Sequence, residues 1–369
     1  MDIGAYLKNQ KENLARHSER IKDYSVFDFN YIPDQPVMRE EAKQLINAML
    51  EFQVSGIPTH HAVIGSRGSG KTLMLKFLQR LMPREIDLDV VYVNCRHHNT
   101  SYRIFAHLLE GKTAGFSLIE LYERFLATYR KKTVVVLDEV DLMSPKDRRR
   151  EILYILSRSE QPYMVIMLSN SPHVLRQLDA ATRSSLQPMP IHFGNYNAEQ
   201  IREILTDRAR RGLQGWDEGH MARIAAMTTR LANGDARVAI KTLHYTVTKP
   251  KESVEACFEA ARRDLVVDVV NDVSDANIMI LLAVTSCRSS LAKEIYRRYG
   301  RISQSHAEKP FSYVHFYSNL SYLQSVGLVA LVSTKVDRTY TNRVLLTFDA
   351  EIVHSIARLR FDRVEGGQS

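Results

Sequence analysis

The sequence has few cysteines and no long hydrophobic run. Its three cysteines, Cys95, Cys257 and Cys287, are far apart and lack the spacing of metal ligands. We therefore expect neither a disulfide scaffold nor a zinc site, and this cysteine usage fits a reducing cytosol. No apolar run approaches the ~20 residues that a membrane-spanning helix needs, and the polar N-terminal residues do not form the apolar core of a signal peptide. These features predict a cytoplasmic protein.

Acidic residues are outnumbered by basic ones. The 369 residues include 50 Lys and Arg against 42 Asp and Glu, which gives a formal net charge of +8. Such an excess suits a polyanion partner such as nucleic acid, although a basic protein without such a partner has the same composition. The length predicts two or three domains, and no internal repeat or low-complexity tract stands out.

A glycine-rich segment predicts a phosphate-binding loop. It follows the apolar run 62–64 and precedes a helical pattern over 72–81 that stops before Pro83. Glycines let backbone N–H groups point at phosphate oxygens, and a helix N-terminus adds positive potential. We expect Lys71 to reach the β- and γ-phosphates and Thr72 to bind Mg²⁺. The candidate cofactor-binding residues are Gly65, Ser66, Arg67, Gly68, Ser69, Gly70, Lys71 and Thr72.

A buried strand that ends in two acids predicts the other half of the nucleotide site. Residues 134–139 read Val-Val-Val-Leu-Asp-Glu. We expect Asp138 to organise Mg²⁺ and Glu139 to polarise the attacking water. An amide follows the next apolar run, where it can hydrogen-bond the γ-phosphate or merely form a turn. The candidate catalytic residues are Lys71, Asp138, Glu139, Asn170 and Arg237.

The order of secondary-structure patterns predicts an α/β fold. Short apolar runs alternate with helical patterns, as parallel strands buried on both faces do; the runs are 61–64, 90–94, 133–137, 163–169 and 191–193. After them come helical patterns alone, and then three helices, two of them ending at Gly300 and Gly327, and two strands, which is the winged-helix pattern. We expect an N-terminal arm over 1–30, a three-layer nucleotide-binding base over 31–195, a helical lid over 196–270 and a winged helix over 275–369.

These motifs together resemble those of a known family, the archaeal AAA+ replication initiators, which are related to the eukaryotic origin recognition complex. The order of the motifs is more specific than any one of them, and the resemblance spans nearly the whole chain. It implies an AAA+ P-loop base with a helical lid and a winged helix, and ATP-dependent binding of duplex DNA at replication origins. The matching segments are Tyr31-Ile-Pro, Met38-Arg39-Glu40, Gly65–Thr72, Leu137-Asp138-Glu139, Ser169-Asn170, Tyr196-Asn197-Ala198-Glu199 and Gly234-Asp-Ala-Arg237.

The resemblance also implies roles in nucleotide binding. Asn170 matches the sensor 1 position and Arg237 the sensor 2 position, both of which report the state of the γ-phosphate. Other matches border the adenine or lie at the start of the lid; they are Ile32, Pro33, Arg39 and Tyr196. The implied ligands are ATP or ADP with Mg²⁺.

Two regions are predicted to contact DNA. Residues 95–109 match a helical insertion that contacts DNA in the family, and its candidates are Arg96, Asn99, Thr100, Tyr102 and Arg103. In a winged helix, the third helix usually enters the major groove and the hairpin reaches the backbone. The candidates there are Ser312, Tyr313, His315, Arg338, Tyr340 and Arg343. A winged helix that binds protein is the alternative.

One segment departs from the family pattern. Family members commonly read Leu-Asp-Pro-Arg-x-x-Ser-Ser-Leu, whereas residues 178–186 read Leu-Asp-Ala-Ala-Thr-Arg-Ser-Ser-Leu. Ala181 thus takes the place of an arginine that acts on a neighbouring subunit's nucleotide, and the nearest cation is Arg183. Because an arginine finger contributes about 10³–10⁵ in rate in other phosphoryl-transfer systems, we expect slow, switch-like hydrolysis.

Two other functions stay open at this point. One is a nucleotide-bound DNA-binding regulator or repressor with little ATPase activity, which the displaced arginine favours. The other is a helicase-loader or clamp-loader type of AAA+ motor that acts mainly on proteins. As an initiator, the chain is expected to associate with the nucleoid and to work with other initiator paralogues and the replicative helicase.

Overall fold

The computed structural model describes residues 2–4, 20–111, 113–144, 147, 150–171, 173–287, 289–336 and 339–361. Most of the predicted N-terminal arm and Arg338 lie outside these ranges. The chain divides into two compact units, Met1–Phe258 and Glu259–Ser369.

Five parallel strands form the central sheet of the first unit. They are β1 (His61–Gly65), β2 (Asp89–Asn94), β3 (Thr133–Asp138), β4 (Tyr163–Ser169) and β5 (Met189–Phe193), in the spatial order β2-β3-β4-β1-β5. Every residue of β3 and β4 is buried. Near-continuous burial is expected of parallel strands covered on both faces, and the predicted sheet is confirmed.

Helices cover both faces of this sheet. On one face, α1 (Glu40–Ser55) and α2 (Lys71–Glu85) pack against Val134 and Val136 of β3. On the other face, Val135 and Leu137 contact a second group of helices. This group consists of α3 (Ser101–Leu108), α4 (Leu118–Thr128), α5 (Glu151–Ser157) and α6 (Ala180–Leu186). Because successive strand residues face opposite sides, β3 supplies both cores, and the predicted three layers are confirmed.

The starts of two helices follow the sequence signals, whereas one helix end does not. Capping boxes form between Ser117 and Glu120 at α4 and between Asn197 and Gln200 at the helix that follows β5. The predicted stop before Pro83 is wrong, since α2 continues to Glu85 with Pro83 inside its last turn. The backbone N–H of Ile86 still donates to Met82 at 2.9 Å, so helical hydrogen bonding resumes after the proline.

After β5, the described part of the first unit continues in helices. They are α7 (Ala198–Gly212), α8 (Glu218–Leu231), α9 (Ala236–Thr248) and the start of α10 (Val254–Asp272). Their core includes Ile201, Leu205, Ile224 and Leu243. The buried guanidinium of Arg208 donates to the carbonyl oxygens of Val26 and Asp28 and so ties the turn Tyr24–Phe27 to α7.

In its described residues, the second unit contains the remainder of α10, three further helices, a two-stranded antiparallel hairpin and a final helix that the sequence analysis did not predict. After the end of α10 come α11 (Asp275–Ser286), α12 (Ala292–Ser305), α13 (Tyr313–Ser325), β6 (Val329–Val336), β7 (Thr339–Leu346) and α14 (Ala350–Phe361). Their shared core includes Ile280, Ile295, Phe316, Val344 and Val353. Within the described part of the chain, no helix is long and apolar enough to cross a bilayer.

Of the two glycines predicted to end helices here, one does so. Gly327 follows α13 with a φ of +80°, the left-handed conformation of a glycine helix end. Gly300 lies inside α12, which continues to Ser305, and that prediction is wrong. The buried side chains of Tyr299 and Ser303 on either side continue the inward face of α12 past the glycine, so tertiary packing overrides the local signal.

Candidate nucleotide site and DNA-facing surfaces

The sheet order brings the predicted nucleotide residues together. The phosphate-loop segment follows β1, which lies between β4 and β5, and β3 is the next strand beyond β4. The carboxyl ends of parallel strands share one edge of the sheet. Asp138 and Glu139 at the end of β3 and Asn170 at the end of β4 therefore lie at the edge where α2 begins.

The loop itself has the backbone that its glycines permit. Gly68 and Gly70 have φ angles of +74° and +87°, which L-residues with a side chain rarely adopt. A Cβ atom at Gly70 would overlap the hydroxyl of Tyr196, and one at Gly68 would overlap the carboxylate of Asp235. Both glycines are thus required by conformation and by space.

Lys71 is buried at the start of α2 and is held by oxygens. Its Nζ donates to the carbonyl oxygens of Gly65 at 2.7 Å and Ser66 at 2.8 Å, and to Oδ1 of Asn170 at 3.0 Å. Burial lowers the pKa of Lys71 to about 8, against the opposing effect of Asp138. The loop lysine and the predicted sensor amide are therefore in direct contact.

The carboxylate of Asp138 collects three hydrogen bonds. Thr72 Oγ1 and the hydroxyl of Tyr92 donate to its Oδ2 at 2.7 and 2.6 Å, and the backbone N–H of Glu139 donates to Oδ1 at 2.8 Å. Burial raises the pKa of Tyr92 well above its usual range, and Asp138 adds to the shift. A hydroxyl and a carboxylate this close, beside a phosphate loop, are the oxygen donors that suit Mg²⁺. Thr72 and Asp138 fit the predicted metal position.

Glu139 and Asn170 are held by different neighbours. Glu139 has a left-handed φ of +53°, and its Oε2 lies 3.5 Å from Nε of Arg96. The backbone N–H of Asn170 donates to Asp141 Oδ1 at 3.4 Å, and the adjacent Ser169 hydroxyl donates to the same oxygen at 2.7 Å. Asp141 therefore fixes the end of β4 and with it the amide that contacts Lys71.

Arg39 and Tyr196 form one wall beside the loop. The guanidinium of Arg39 donates to the carbonyl oxygens of Ser69 at 3.2 Å and Gly194 at 3.0 Å, and it lies 4.7 Å from the ring centre of Tyr196. Both residues are buried. Ile32 and Pro33 are half-buried in the irregular segment before α1. Arg39 therefore contacts the loop, whereas Ile32 and Pro33 lie in the segment that leads to α1, and the position of these three beside the adenine stays a prediction.

The helical part of the unit reaches the loop through the segment 234–237. The backbone N–H of Ala236 donates to the carbonyl oxygen of Gly68 at 3.4 Å. Asp235 accepts from Nε and Nη2 of Arg237 at 3.0 and 2.6 Å. Ser66 Oγ also donates to Asn195 Oδ1 at 2.5 Å. The loop is therefore contacted by the segment that follows β5 as well as by the segment 234–237.

Comparison with known proteins agrees with this geometry. The family model described as an AAA domain matches residues 58–178. The chain is 31% identical to the ORC1-type DNA replication protein 1 of Sulfolobus acidocaldarius over 58% of each chain. It is 30% identical to the ORC1-type DNA replication protein of Pyrococcus furiosus over 63% of this chain and 61% of that relative. The chain is similar to archaeal ORC1-type DNA replication proteins over 58–63% of its length. The resemblance predicted from the motifs is confirmed.

A solved structure extends the comparison to the fold. The Aeropyrum pernix ORC1 protein, determined in complex with DNA, is 24% identical and superposes with a TM-score of 0.72 over 94% of this chain and 99% of that chain. The predicted AAA+ fold with a C-terminal winged helix is confirmed. The alignments with the two ORC1-type sequences span less than two thirds of each relative.

Three residues of the site were missed by sequence reasoning about the ORC1-type motifs. Tyr92, Asp141 and Asp235 contact Asp138, Asn170 and Arg237 respectively. A tyrosine between two valines of an apolar run and a second acid shortly after the strand-end pair were visible signals for the first two. Asp235 belongs to the motif Gly234-Asp-Ala-Arg237, but nothing in the sequence indicates that it pairs with Arg237.

The segment that departs from the family pattern forms α6. Asp179 caps this helix by accepting from the backbone N–H groups of Ala181 and Thr182 at 3.0 and 3.1 Å. Ala181 and Arg183 are both exposed. The nearest cation to the displaced arginine position is therefore available to solvent.

The predicted DNA-contacting insertion spans the turn after β2 and α3. Arg103 and Asn99 form a contact of 3.4 Å, and Thr100 caps α3. Tyr102 packs on the core, and its hydroxyl donates to the carbonyl oxygen of Thr113 at 2.7 Å. Arg103 is exposed, whereas Arg96 is half-buried beside Glu139. The structure places these candidates on one segment but gives them unequal access to solvent.

The winged-helix candidates lie at the start of α13 and on the hairpin. Ser312 caps α13 by accepting from the N–H of His315 at 3.3 Å, and Tyr313 is 41% exposed. Tyr340 is 77% exposed, and Lys335 Nζ lies 5.7 Å from its ring centre. Arg343 is exposed on β7. Arg338, the remaining candidate, lies outside the described residues.

Proposed function

We propose that this protein is an ATP-dependent replication initiator that binds duplex DNA at origins through its winged helix and the 95–109 insertion. In this proposal residues 31–195 are the nucleotide-binding base, 196–270 the lid and 275–369 the DNA-binding domain. The single observation that carries it is the cluster Lys71, Thr72, Asp138 and Asn170 around the glycine-bent loop. Relatives named as DNA replication proteins support the assignment.

Each residue in the cluster has a proposed task. Lys71 and the loop N–H groups bind the triphosphate, while Thr72 and Asp138 hold Mg²⁺, which neutralises phosphate charge when bound. Glu139 orients and polarises the attacking water, and Asn170 binds the γ-phosphate or that water. Ile32, Pro33 and Arg39 border the base of the nucleotide, and Tyr196 at the start of the lid also contributes to nucleotide binding.

Nucleotide occupancy is proposed to govern the lid. Arg237 belongs to the lid, and its partner Asp235 lies against Gly68 of the loop. A γ-phosphate that attracts Arg237 favours one arrangement of lid and loop over another, and ligands shift such equilibria only by differential contacts. ATP and ADP would thereby present different states to DNA and to partner proteins.

Hydrolysis is proposed to be slow. Ala181 occupies the position of the family arginine, and Glu139 is engaged with Arg96 at 3.5 Å. The protein would then act as a switch that holds nucleotide, with turnover well below the roughly 1–100 s⁻¹ of phosphoryl-transfer enzymes such as kinases. The same feature supports the second candidate function, a nucleotide-bound regulator of transcription.

Mapping of binding sites along the chromosome tests the proposal. We expect the wild-type protein to occupy replication origins; occupancy of promoters alone would favour the regulator. In solution, Arg343→Ala is expected to weaken binding to all duplexes alike and to reduce the salt slope by about one. Lys131→Ala, at an exposed lysine paired with Asp87, is the matched control. An unchanged slope for Arg343→Ala would remove that residue from the phosphate contacts.

A further inference from the structure

The helix predicted to enter the major groove carries no formal charge. No Asp, Glu, Lys or Arg occurs from Pro310 to Thr334, a range that includes all of α13. A helix without Lys or Arg cannot neutralise phosphates, so we expect it to add little charge-based affinity and its exposed apolar side chains to face base edges. The most exposed apolar side chain on it is Val314, at 77%, in the first turn.

Cations flank this helix within the same unit. Lys293, Arg297 and Arg301 are exposed on α12, and Lys335 and Arg343 are exposed on the hairpin. This charge distribution suits a polyanion whose phosphates contact the cations of the neighbouring elements while its base edges face the uncharged helix. It does not suit an apolar protein partner, because the cations would then lose hydration without receiving opposite charges.

The start of α13 is held rigidly against the cationic helix. The hydroxyl of Tyr296 on α12 donates to the carbonyl oxygen of Phe311 at 2.9 Å, and the N–H of Phe311 donates to the hydroxyl of Tyr299 at 3.3 Å. The ring of Tyr313 meets that of Tyr296 edge-on at 5.0 Å. These contacts fix Val314 relative to α12, so its position is set before DNA arrives.

We propose that Val314 is a specificity-determining residue that contacts the C5-methyl group of a thymine in the major groove. The inference rests on the proposed DNA binding and adds to it the identity of a base and the group that reads it. The thymine methyl is the apolar group that base pairs present in the major groove, and residues at the start of a recognition helix are the ones that reach base edges. The cations of α12 and the hairpin provide affinity for phosphates, whereas α13 discriminates between bases.

The test removes the same contact from either side. Short duplexes recovered by the wild-type protein from a random-sequence pool are remade with every thymine replaced by uracil, which deletes only the methyl group. We expect uracil to weaken wild-type binding about fourfold, as for the loss of one buried carbon. Val314→Ala should bind the thymine duplex about fourfold more weakly, lose most of the response to uracil and keep the wild-type salt slope.

Controls separate this inference from the proposed function. Val54→Ala changes an equally exposed valine, 81% accessible, in the other unit, and should keep the wild-type response. Val314→Ile keeps an apolar side chain and should retain the uracil penalty, while an unchanged unfolding midpoint shows that each variant is folded. Equal uracil penalties in wild type and Val314→Ala overturn the inference and leave DNA binding intact. Failure of the wild-type protein to bind any duplex overturns the proposed function itself.

Discussion

The carboxylate of Asp235 pairs with the guanidinium of Arg237 while lying against Gly68 of the phosphate loop. Two side-chain hydrogen bonds of 3.0 and 2.6 Å form the pair, and any Cβ atom at Gly68 would overlap Asp235. A negative charge is thus kept beside a loop whose geometry suits phosphate. It is tolerable there because Arg237 neutralises it, and the two residues together determine the charge that a nucleotide meets on the lid side.

The ion pair between Asp235 and Arg237 predicts that substitutions of its two members have unequal effects on ATP affinity. Arg237→Ala leaves the carboxylate uncompensated near the triphosphate, and ATP affinity should fall by at least about tenfold at the effective dielectric of a partly buried site. Adding Asp235→Asn to that variant should recover part of the loss. Isothermal titration calorimetry with Mg–ATP measures both.

Arg230→Ala, which changes an exposed arginine of the lid, is the control. This variant should bind ATP as tightly as the wild-type protein. If the double variant binds no better than Arg237→Ala, Asp235 has no electrostatic effect on the nucleotide.

A methyl group at Gly70 is predicted to abolish the nucleotide site. Gly70→Ala requires a left-handed φ of +87° from an L-residue and overlaps the Tyr196 hydroxyl, so the loop must distort. The left-handed backbone conformation alone costs an L-residue about 1–2 kcal/mol. Gly215→Ala, where a Cβ has open space and φ is ordinary, should leave both stability and ATP affinity unchanged. Normal ATP binding by Gly70→Ala would show that the loop does not adopt this conformation.

Nucleotide affinity is predicted to depend on pH through Lys71. Burial lowers the pKa of Lys71 to about 8, so the ammonium that attracts phosphate is present below that pH and lost above it. ATP binding should be level up to about pH 8 and then weaken by up to about tenfold per pH unit, with proton uptake on binding. Lys71→Arg, which stays charged, should lack this dependence. A pH-independent wild-type affinity up to about pH 10 would contradict the account.

Stability is predicted to fall in mild acid through His60. Its Nδ1 accepts from the N–H of Val165 at 3.0 Å, and burial lowers the pKa of His60 to about 4, with His61 adding to the shift. Because the folded pKa lies below the unfolded value of about 6.5, this stabilisation is complete above pH ~6.5 and is lost as pH falls towards ~4. The loss amounts to up to about 3 kcal/mol.

Urea unfolding at several pH values measures that loss. His60→Asn keeps an acceptor for Val165 but does not titrate, so its unfolding free energy should vary less between about pH 4 and pH 7. Parallel pH profiles for the two proteins would assign the acid sensitivity to other groups.

Much of the base was predictable because its signals are local. Apolar runs become parallel strands when both faces are covered, and glycine spacing before Lys71 defines a loop whatever surrounds it. Ser117 and Asn197 start their helices because a capping box is complete within four residues. The order of the motifs along the chain then indicated the resemblance to the archaeal AAA+ replication initiators.

The signals that failed depend on distant neighbours. Gly300 does not end its helix because Tyr299 and Ser303 are buried on either side of it, and Pro83 is tolerated in a last turn. The contact of Tyr92 with Asp138 joins β2 to β3, and that of Asp141 with Ser169 joins the turn after β3 to β4. No local pattern contains such pairings, since they follow from the order in which the strands assemble.

Binding of Mg–ATP to the wild-type protein and to Lys71→Ala, measured side by side with duplex DNA binding, tests the central claim most directly. The account predicts that the wild-type protein binds ATP, that Lys71→Ala loses at least about tenfold in ATP affinity, and that the variant still binds DNA. Equal ATP binding by the two proteins would contradict it, because the triphosphate would then lie somewhere other than the loop at Lys71.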